Sequence, residues 1–249
     1  SMDIFSATIA LVVAFFAGFI GSTAGGAGLI SVPILIFLGL PAHIAVATSR
    51  FGSLGVTSTG IYSFHQGKKV DFRLGTRAAV LGIIGSFFGA GFLLAIPSGI
   101  LEKIIAFFLF ISLFFMYKNR GFGIKKEKKK GKTAKALGYA SFLFIGFLGG
   151  FVGGVVGILS SYVLILVFGQ TFLESSGTRK IYGLAIGLTS TSVFALAGVI
   201  DWGFGLLMLP AFVAGTHFGV KYALSRGEGW VKALFAVVVA VSAIALLVS

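Results

Sequence analysis

The chain has 249 residues, 57% of them hydrophobic and only 11% charged, with a mean hydropathy of +1.05; an ordinary soluble domain carries about 25% charged residues, so a water-soluble fold is excluded. The net charge is +13, but nine of the 20 Lys and Arg are packed between Lys118 and Lys135, which marks a cytoplasmic loop beside membrane segments rather than a nucleic-acid surface. There is no cysteine, so disulfides, thiolate metal sites and cysteine nucleophiles are excluded.

Eight long apolar segments follow one another: Ile4–Gly21, Ile44–Phe64, Arg77–Ile96, Ile100–Tyr117, Leu137–Val156, Ile181–Val199, Phe204–Tyr222 and Val231–Val248. Each has about the 20 residues that a membrane helix needs. The first has Asp3 where a signal peptide would carry basic residues, so it reads as a retained helix. Two shorter segments, Leu29–Leu40 and Ile158–Phe168, follow glycine-rich stretches and read as half-helices. Trp202 and Trp230 stand at segment ends, where they anchor at the headgroup level. The fold class expected is an all-α polytopic membrane protein in a prokaryotic cytoplasmic membrane.

The chain repeats at an offset of about 130 residues. Gly18-Phe19-Ile20-Gly21 matches Gly146-Phe147-Leu148-Gly149; Gly25-Gly26 matches Gly153-Gly154; Thr48-Ser49-Arg50 matches Thr178-Arg179-Lys180; Asp71 matches Asp201. This divides the chain into a first repeat at residues 1–117, a basic linker at 118–135 and a second repeat at 136–249. Each repeat holds four long helices plus one short broken helix. Loop 65–77 carries four cations and its counterpart near Asp201 none, whereas 221–232 is basic and its counterpart near Pro97 carries one cation. Equivalent loops thus swap character, as they do in inverted repeats. A five-plus-five inverted arrangement is therefore favoured over a parallel four-plus-four with two re-entrant loops.

Chemistry is expected at the glycine breaks. Gly21–Pro33 holds four glycines with Ser22, Thr23 and Ser31, and Gly149–Ser161 is its second copy. Unwound backbone at membrane depth is tolerated only where it is buried or lines a cavity, and the N–H groups opening the next helix attract anions. The competing reading is small-residue helix packing. Arg50 lies inside a membrane segment with no acid near it in sequence, and such a cation marks a functional site by default. The expected anion site comprises Ser22, Thr23, Gly25, Gly26, Gly28, Ser31, Thr48, Ser49 and Arg50 from the first copy. The second copy gives Gly153, Gly154, Gly157, Ser160, Ser161, Thr178 and Arg179. Glu174 is read as pairing with Arg179 or Lys180, Asp71 and Asp201 as helix caps, and His217 as a hydrogen-bonded interior histidine rather than a proton relay. No HExxH, paired intramembrane aspartate or Ser–His constellation occurs, so an enzyme is not expected, nor is a cofactor or metal.

These residues resemble the TauE/SafE sulfite-exporter family, also called the 4-toluene sulfonate uptake permease family. The features that carry the likeness are Gly21…Gly25-Gly26-Ala27-Gly28…Val32-Pro33, Ala45-Val46-Ala47-Thr48-Ser49, and Gly153-Gly154…Gly157 with Gly177-Thr178. The second copy departs from the first at Tyr162, where a proline would echo Pro33, and at Val155-Val156. The resemblance implies a secondary transporter, usually an exporter, of sulfite or organosulfonate anions. Its partners would be the bilayer and a small anion. With no acid in mid-segment, the route left to a coupling proton is a weakly acidic anion itself. A passive anion channel and a non-transporting scaffold are the alternatives.

Overall fold

The computed structural model describes residues 3–23, 25–101, 103–105, 107, 130–153 and 156–227, and among these there is no β-strand. Nine helices are delimited: α1 Ile4–Gly21, α2 Ala27–Phe37, α3 Ala42–Gly52, α4 Leu54–Gln66, α5 Phe72–Ala95, α6 Lys132–Phe151, α7 Val156–Leu166, α8 Phe172–Leu196 and α9 Trp202–Arg226. Four of them, α1, α5, α6 and α9, are long and apolar enough to cross a membrane. The chain is a multi-pass membrane protein.

The helix starts follow local chemistry. Asp3, Asp71 and Asp201 each cap a helix, accepting from Ser6 N–H (2.9 Å), Leu74 N–H (2.9 Å) and Phe204 N–H (3.0 Å). The Ser6 hydrogen bonds also hold the Asp3 carboxyl below the usual carboxylate range. Between α1 and α2 the chain turns through Gly25 (φ 84°) and Gly26 (φ 82°), and α6 ends just before Gly153 (φ 75°). Only glycine occupies that region without strain, so both breaks are written into the sequence. The short helices α2 and α7 have 11 residues each. They rise roughly 16 Å against a hydrocarbon core of about 30 Å.

Two segments differ from expectation. Ile44–Phe64 is not one helix: the chain breaks at Ser53 into α3 and α4, where the Ser53 hydroxyl donates to the Arg50 carbonyl at 2.8 Å. Glycines flank this break and let α9 approach closely, because a Cβ at Gly52 or Gly55 would press on Phe212 or Val213. The segment read as Ile181–Val199 begins earlier, at Phe172, behind a reciprocal capping box of Thr171 and Glu174. Arg179 and Lys180 therefore lie two turns inside a 25-residue helix. The expected segment Val231–Val248, most of Ile100–Tyr117, and linker residues 118–129 lie outside the described residues.

Two helix pairs form the frame. α1 lies along α9, with Phe15 against Phe218 (6.4 Å between centroids) and Phe19 against Tyr222 (6.3 Å). α5 lies along α6, with Phe92 against Phe147 (5.6 Å) and Phe151 (5.2 Å). Residue numbers rise together along each contact, with Gly85 against Leu143 and Gly89 against Phe147 in the second pair, so both pairs run parallel. Glycines set the spacing. A Cβ at Gly215 would overlap the Phe15 carbonyl, and one at Gly85 would overlap the Leu143 carbonyl. A Cβ at Gly18 would meet the Phe212 oxygen at 2.7 Å, and one at Gly146 the Gly82 oxygen at 2.5 Å. Lipid tails are as apolar as the side chains, so such close backbone contact, not water exclusion, holds membrane helices together. Phe87, Phe88 and Ile84 of α5 face outward, toward lipid.

Candidate anion site

Three cations converge between the two glycine breaks. Arg50 comes from the last turn of α3, and Arg179 and Lys180 from α8. The Arg50 guanidinium donates to the Gly149 carbonyl near the end of α6 and lies where any Cβ on Gly153 would sit. Arg179 Nη2 donates to the Thr23 carbonyl at 2.7 Å, an oxygen also bound by the Ser176 hydroxyl at 2.7 Å. Lys180 Nζ reaches the Gly21 carbonyl at 3.4 Å, and its stem runs along Gly60 of α4. Arg179 is 7% exposed and Lys180 2%.

The accepting carbonyls belong to the C-terminal ends of α1 and α6, the negative ends of those helix dipoles. They satisfy donors but carry no net charge. The three cations line a cavity of about 80 Å³ with glycines of both breaks, Gly25, Gly26 and Gly28 on one side and Gly153 and Gly157 on the other. The breaks touch there: a Cβ at Gly25 would lie 2.8 Å from Gly157 Cα. The first turns of α2 and α7 open onto the same space, adding positive dipole ends. None of the acids among the described residues, Asp3, Asp71, Glu174 and Asp201, lines it. Arg179 Nε is buried without a hydrogen-bond partner. A neighbouring pocket of about 30 Å³, between Gly28, Ser49, Arg50, Ser53 and Gly153, is about the volume of one water.

Of the residues nominated from the sequence, Gly25, Gly26, Gly28, Arg50, Gly153, Gly157, Ser160 and Arg179 line the main cavity. Most of the nominated hydroxyls are engaged elsewhere. Ser31 and Ser49 bond each other at 2.6 Å, Ser22 donates to Phe19 O at 2.7 Å, and Thr23 to Ile20 O at 3.5 Å. Thr48 Oγ1 accepts from Asp201 N–H (2.9 Å) and Thr178 Oγ1 from Asp71 N–H (3.0 Å), so these two threonines clamp the starts of α9 and α5. Ser161 Oγ is buried and unpartnered. Gly154 lies outside the described residues.

Lys180 is the residue that the nominated set omitted. The sequence signal was present, because the repeat offset places Lys180, not Arg179, opposite Arg50. Glu174, read from the sequence as a partner for these cations, has its described contact with its own helix start. Its carboxylate accepts from Thr171 N–H at 3.0 Å, while Arg179 and Lys180 reach backbone carbonyls. His217 is not interior either: it is exposed on α9 with its ring edge-on to Phe218 at 5.7 Å.

A bundle of membrane-crossing helices around a buried, cation-lined cavity is the architecture of a membrane transport protein. The model of the family described as "Sulfite exporter TauE/SafE" matches residues 10–246, and the chain belongs to that family. It is 26% identical over 222 residues to a "Probable membrane transporter protein" of Haemophilus influenzae, covering 88% of this chain and 86% of that one. It is 27% identical over 237 residues to "Probable membrane transporter protein ORF9" of Sinorhizobium sp, covering 95% and 90%. A third relative, "Probable membrane transporter protein YdhB" of Bacillus subtilis, is 25% identical over 209 residues, covering 82% and 84%. No solved structure matches the chain.

Proposed function

We propose that the protein is a secondary transporter of small sulfur-containing anions such as sulfite or organosulfonates, working by alternating access around the cavity between the glycine breaks. The observation that carries this reading is the convergence of Arg50, Arg179 and Lys180 on a cavity that no acid among the described residues lines. Uncompensated charge inside a membrane is costly, and an oxyanion supplies both the missing negative charge and an acceptor for the orphaned Arg179 Nε–H. Family membership supports transport and favours sulfite.

Inverted repeats supply the moving parts in this reading. Their support is a set of reciprocal contacts. Arg50 binds Gly149 as Lys180 binds Gly21; Thr48 binds Asp201 as Thr178 binds Asp71; Gly85 packs on Leu143 as Gly215 packs on Phe15. Each member of a pair is the other displaced by roughly 130 residues with the halves exchanged. Two such halves have equivalent packings of opposite sidedness, and rocking between them exposes the cavity to either face in turn.

The test is counterflow in proteoliposomes loaded with sulfite, with thiosulfate, sulfoacetate and sulfate as competitors. Saturable exchange that is lost in Arg50→Ala supports the carrier and its site. Uptake without trans-stimulation indicates a passive channel. No exchange of any sulfur anion by folded protein overturns the substrate class and favours a scaffold.

A further inference from the structure

The helices group into two lobes. In one, α9 packs on α1, α3 and α4: a Cβ at Gly18 or Gly52 would press on Phe212, and one at Gly55 on Val213. In the other, α5 packs on α6 and α8: a Cβ at Gly85 would overlap the Leu143 carbonyl, one at Gly82 would meet the Tyr182 ring, and the Ser86 hydroxyl donates to Ile186 O at 2.9 Å. The central cavity lies on the boundary, because Arg50 comes from the first lobe and Arg179 and Lys180 from the second. Each of these cations donates to a carbonyl across that boundary.

A further side chain crosses the boundary at one end of the molecule. His43, half-buried at the start of α3, places Nε2 2.7 Å from Ile96 O at the end of α5 and Nδ1 3.0 Å from Ser98 Oγ. A carbonyl only accepts, so Nε2 carries the proton, and Nδ1 pairs with the hydroxyl. Inward from this bond, Val46 of α3, Leu93 of α5, Phe151 of α6 and Phe194 of α8 belong to one buried apolar cluster drawn from both lobes. This end is therefore shut. At the opposite end another apolar cluster spans the lobes, with Phe64 and Val220 against Ile165 and Leu173. At the repeat offset His43 corresponds to Leu173, an apolar side chain.

We infer that His43 is the latch of one gate: its bonds to Ile96 and Ser98 hold the lobes together at that end and bias the empty carrier toward the state closed there. This rests on the transport reading above. Exposing the cavity to that end requires the lobes to part, and parting breaks both bonds. The latch is tied to the anion site through α3. His43 and Arg50 stand about two turns apart on one face of this 11-residue helix. The latch and the anion ligand thus sit on one rigid piece and move together. The two gates differ in kind, because the imidazole adds a directional bond where the equivalent position carries a leucine.

The experiment reads the two ends separately with single cysteines, since the chain has none of its own. Val46→Cys reports the latched end and Ile165→Cys the other; both positions are buried. Each is combined with His43→Phe, which keeps a ring and loses both bonds, with His43→Gln, which keeps a side-chain N–H donor, and with Ser98→Ala, which removes one bond at an exposed position. Labelling by a soluble maleimide is timed on the anion-free full chain in detergent, with the melting temperature alongside, and sulfite counterflow is measured in liposomes. The expected result is labelling at Val46→Cys about tenfold faster with His43→Phe and about threefold faster with Ser98→Ala, as the loss of two part-buried hydrogen bonds and of one would give. His43→Gln stays near wild type, and labelling at Ile165→Cys does not rise. Unchanged labelling at Val46→Cys, even with a lowered melting temperature, makes His43 a cap of α5 and overturns the latch while leaving transport intact. An equal rise at both cysteines is general loosening and also overturns it. Absence of sulfite exchange in wild type removes the transport reading itself, and the gate with it.

Discussion

Replacing Arg50 tests the central site quantitatively. A guanidinium about 4 Å from an oxyanion contributes roughly 4 kcal/mol at an effective dielectric of 20. Part of that is offset in the empty protein, where the same guanidinium binds the Gly149 carbonyl. Taking a net effect of about 2–3 kcal/mol, Arg50→Ala weakens anion binding on the order of 30- to 150-fold, since ~1.4 kcal/mol is a factor of ten. Arg50→Lys keeps the charge but loses the planar fork, and falls between. The assay is sulfite-dependent thermal stabilisation in detergent beside counterflow KM in liposomes. Binding by Arg50→Ala within about threefold of wild type, in protein that melts cooperatively, would refute the assignment of Arg50 to the anion, because two remaining cations cannot mask a lost contact of this size.

Three further outcomes follow from the packing. Gly215→Ala and Gly85→Ala each drive a Cβ into a facing backbone carbonyl and lose at least 1–3 kcal/mol of stability, whereas Gly91→Ala, with open space around it, is neutral or gains about 0.5–1 kcal/mol; melting temperatures in detergent separate them. Thr48→Val and Thr178→Val each leave a part-buried Asp N–H unpaired and cost about 1–3 kcal/mol, with similar losses in both if the two clamps are equivalent; unequal losses argue against equivalence. Lys68 has φ 53°, so Lys68→Gly removes left-handed strain worth about 1 kcal/mol. That variant melts higher, and a lowered melting temperature would contradict the strain.

What the sequence revealed depended on whether the cause was local. The breaks at Gly25-Gly26 and Gly153 were legible because positive φ is a property of glycine itself. The caps at Asp71 and Asp201 were legible because capping is likewise local chemistry, whereas the cap at Asp3 was not read. The break at Ser53 was not, because no proline or positive-φ glycine marks it. The start of α8 was hidden by Glu174, Arg179 and Lys180, whose low hydropathy outweighed a Thr-x-x-Glu capping signal that stood in plain view. Hydroxyl roles were least legible. Thr48 and Thr178 were placed at the anion site, yet side-chain rotation turns them to the amides of Asp201 and Asp71, and no periodicity encodes that.

One rival account of the buried cations remains testable. Each meets a carbonyl at the end of α1 or α6, so all three could serve as helix C-caps and nothing else. Lys180 discriminates, because its bond to Gly21 O is long at 3.4 Å while its burial is nearly complete. If capping were its purpose, Lys180→Met would lower stability by the value of a charged hydrogen bond, about 1.5–3 kcal/mol. If the ammonium is held there for an absent anion, the empty protein bears a desolvation cost that this bond does not offset. Removing a buried charge in favour of an apolar side chain of similar volume is then neutral or stabilising. The anion reading therefore expects Lys180→Met to melt at or above the wild-type temperature when empty and to lose most of the stabilisation by sulfite. A variant that melts well below wild type and retains its sulfite response would make Lys180 a structural cap and leave Arg50 and Arg179 as the charges facing the anion.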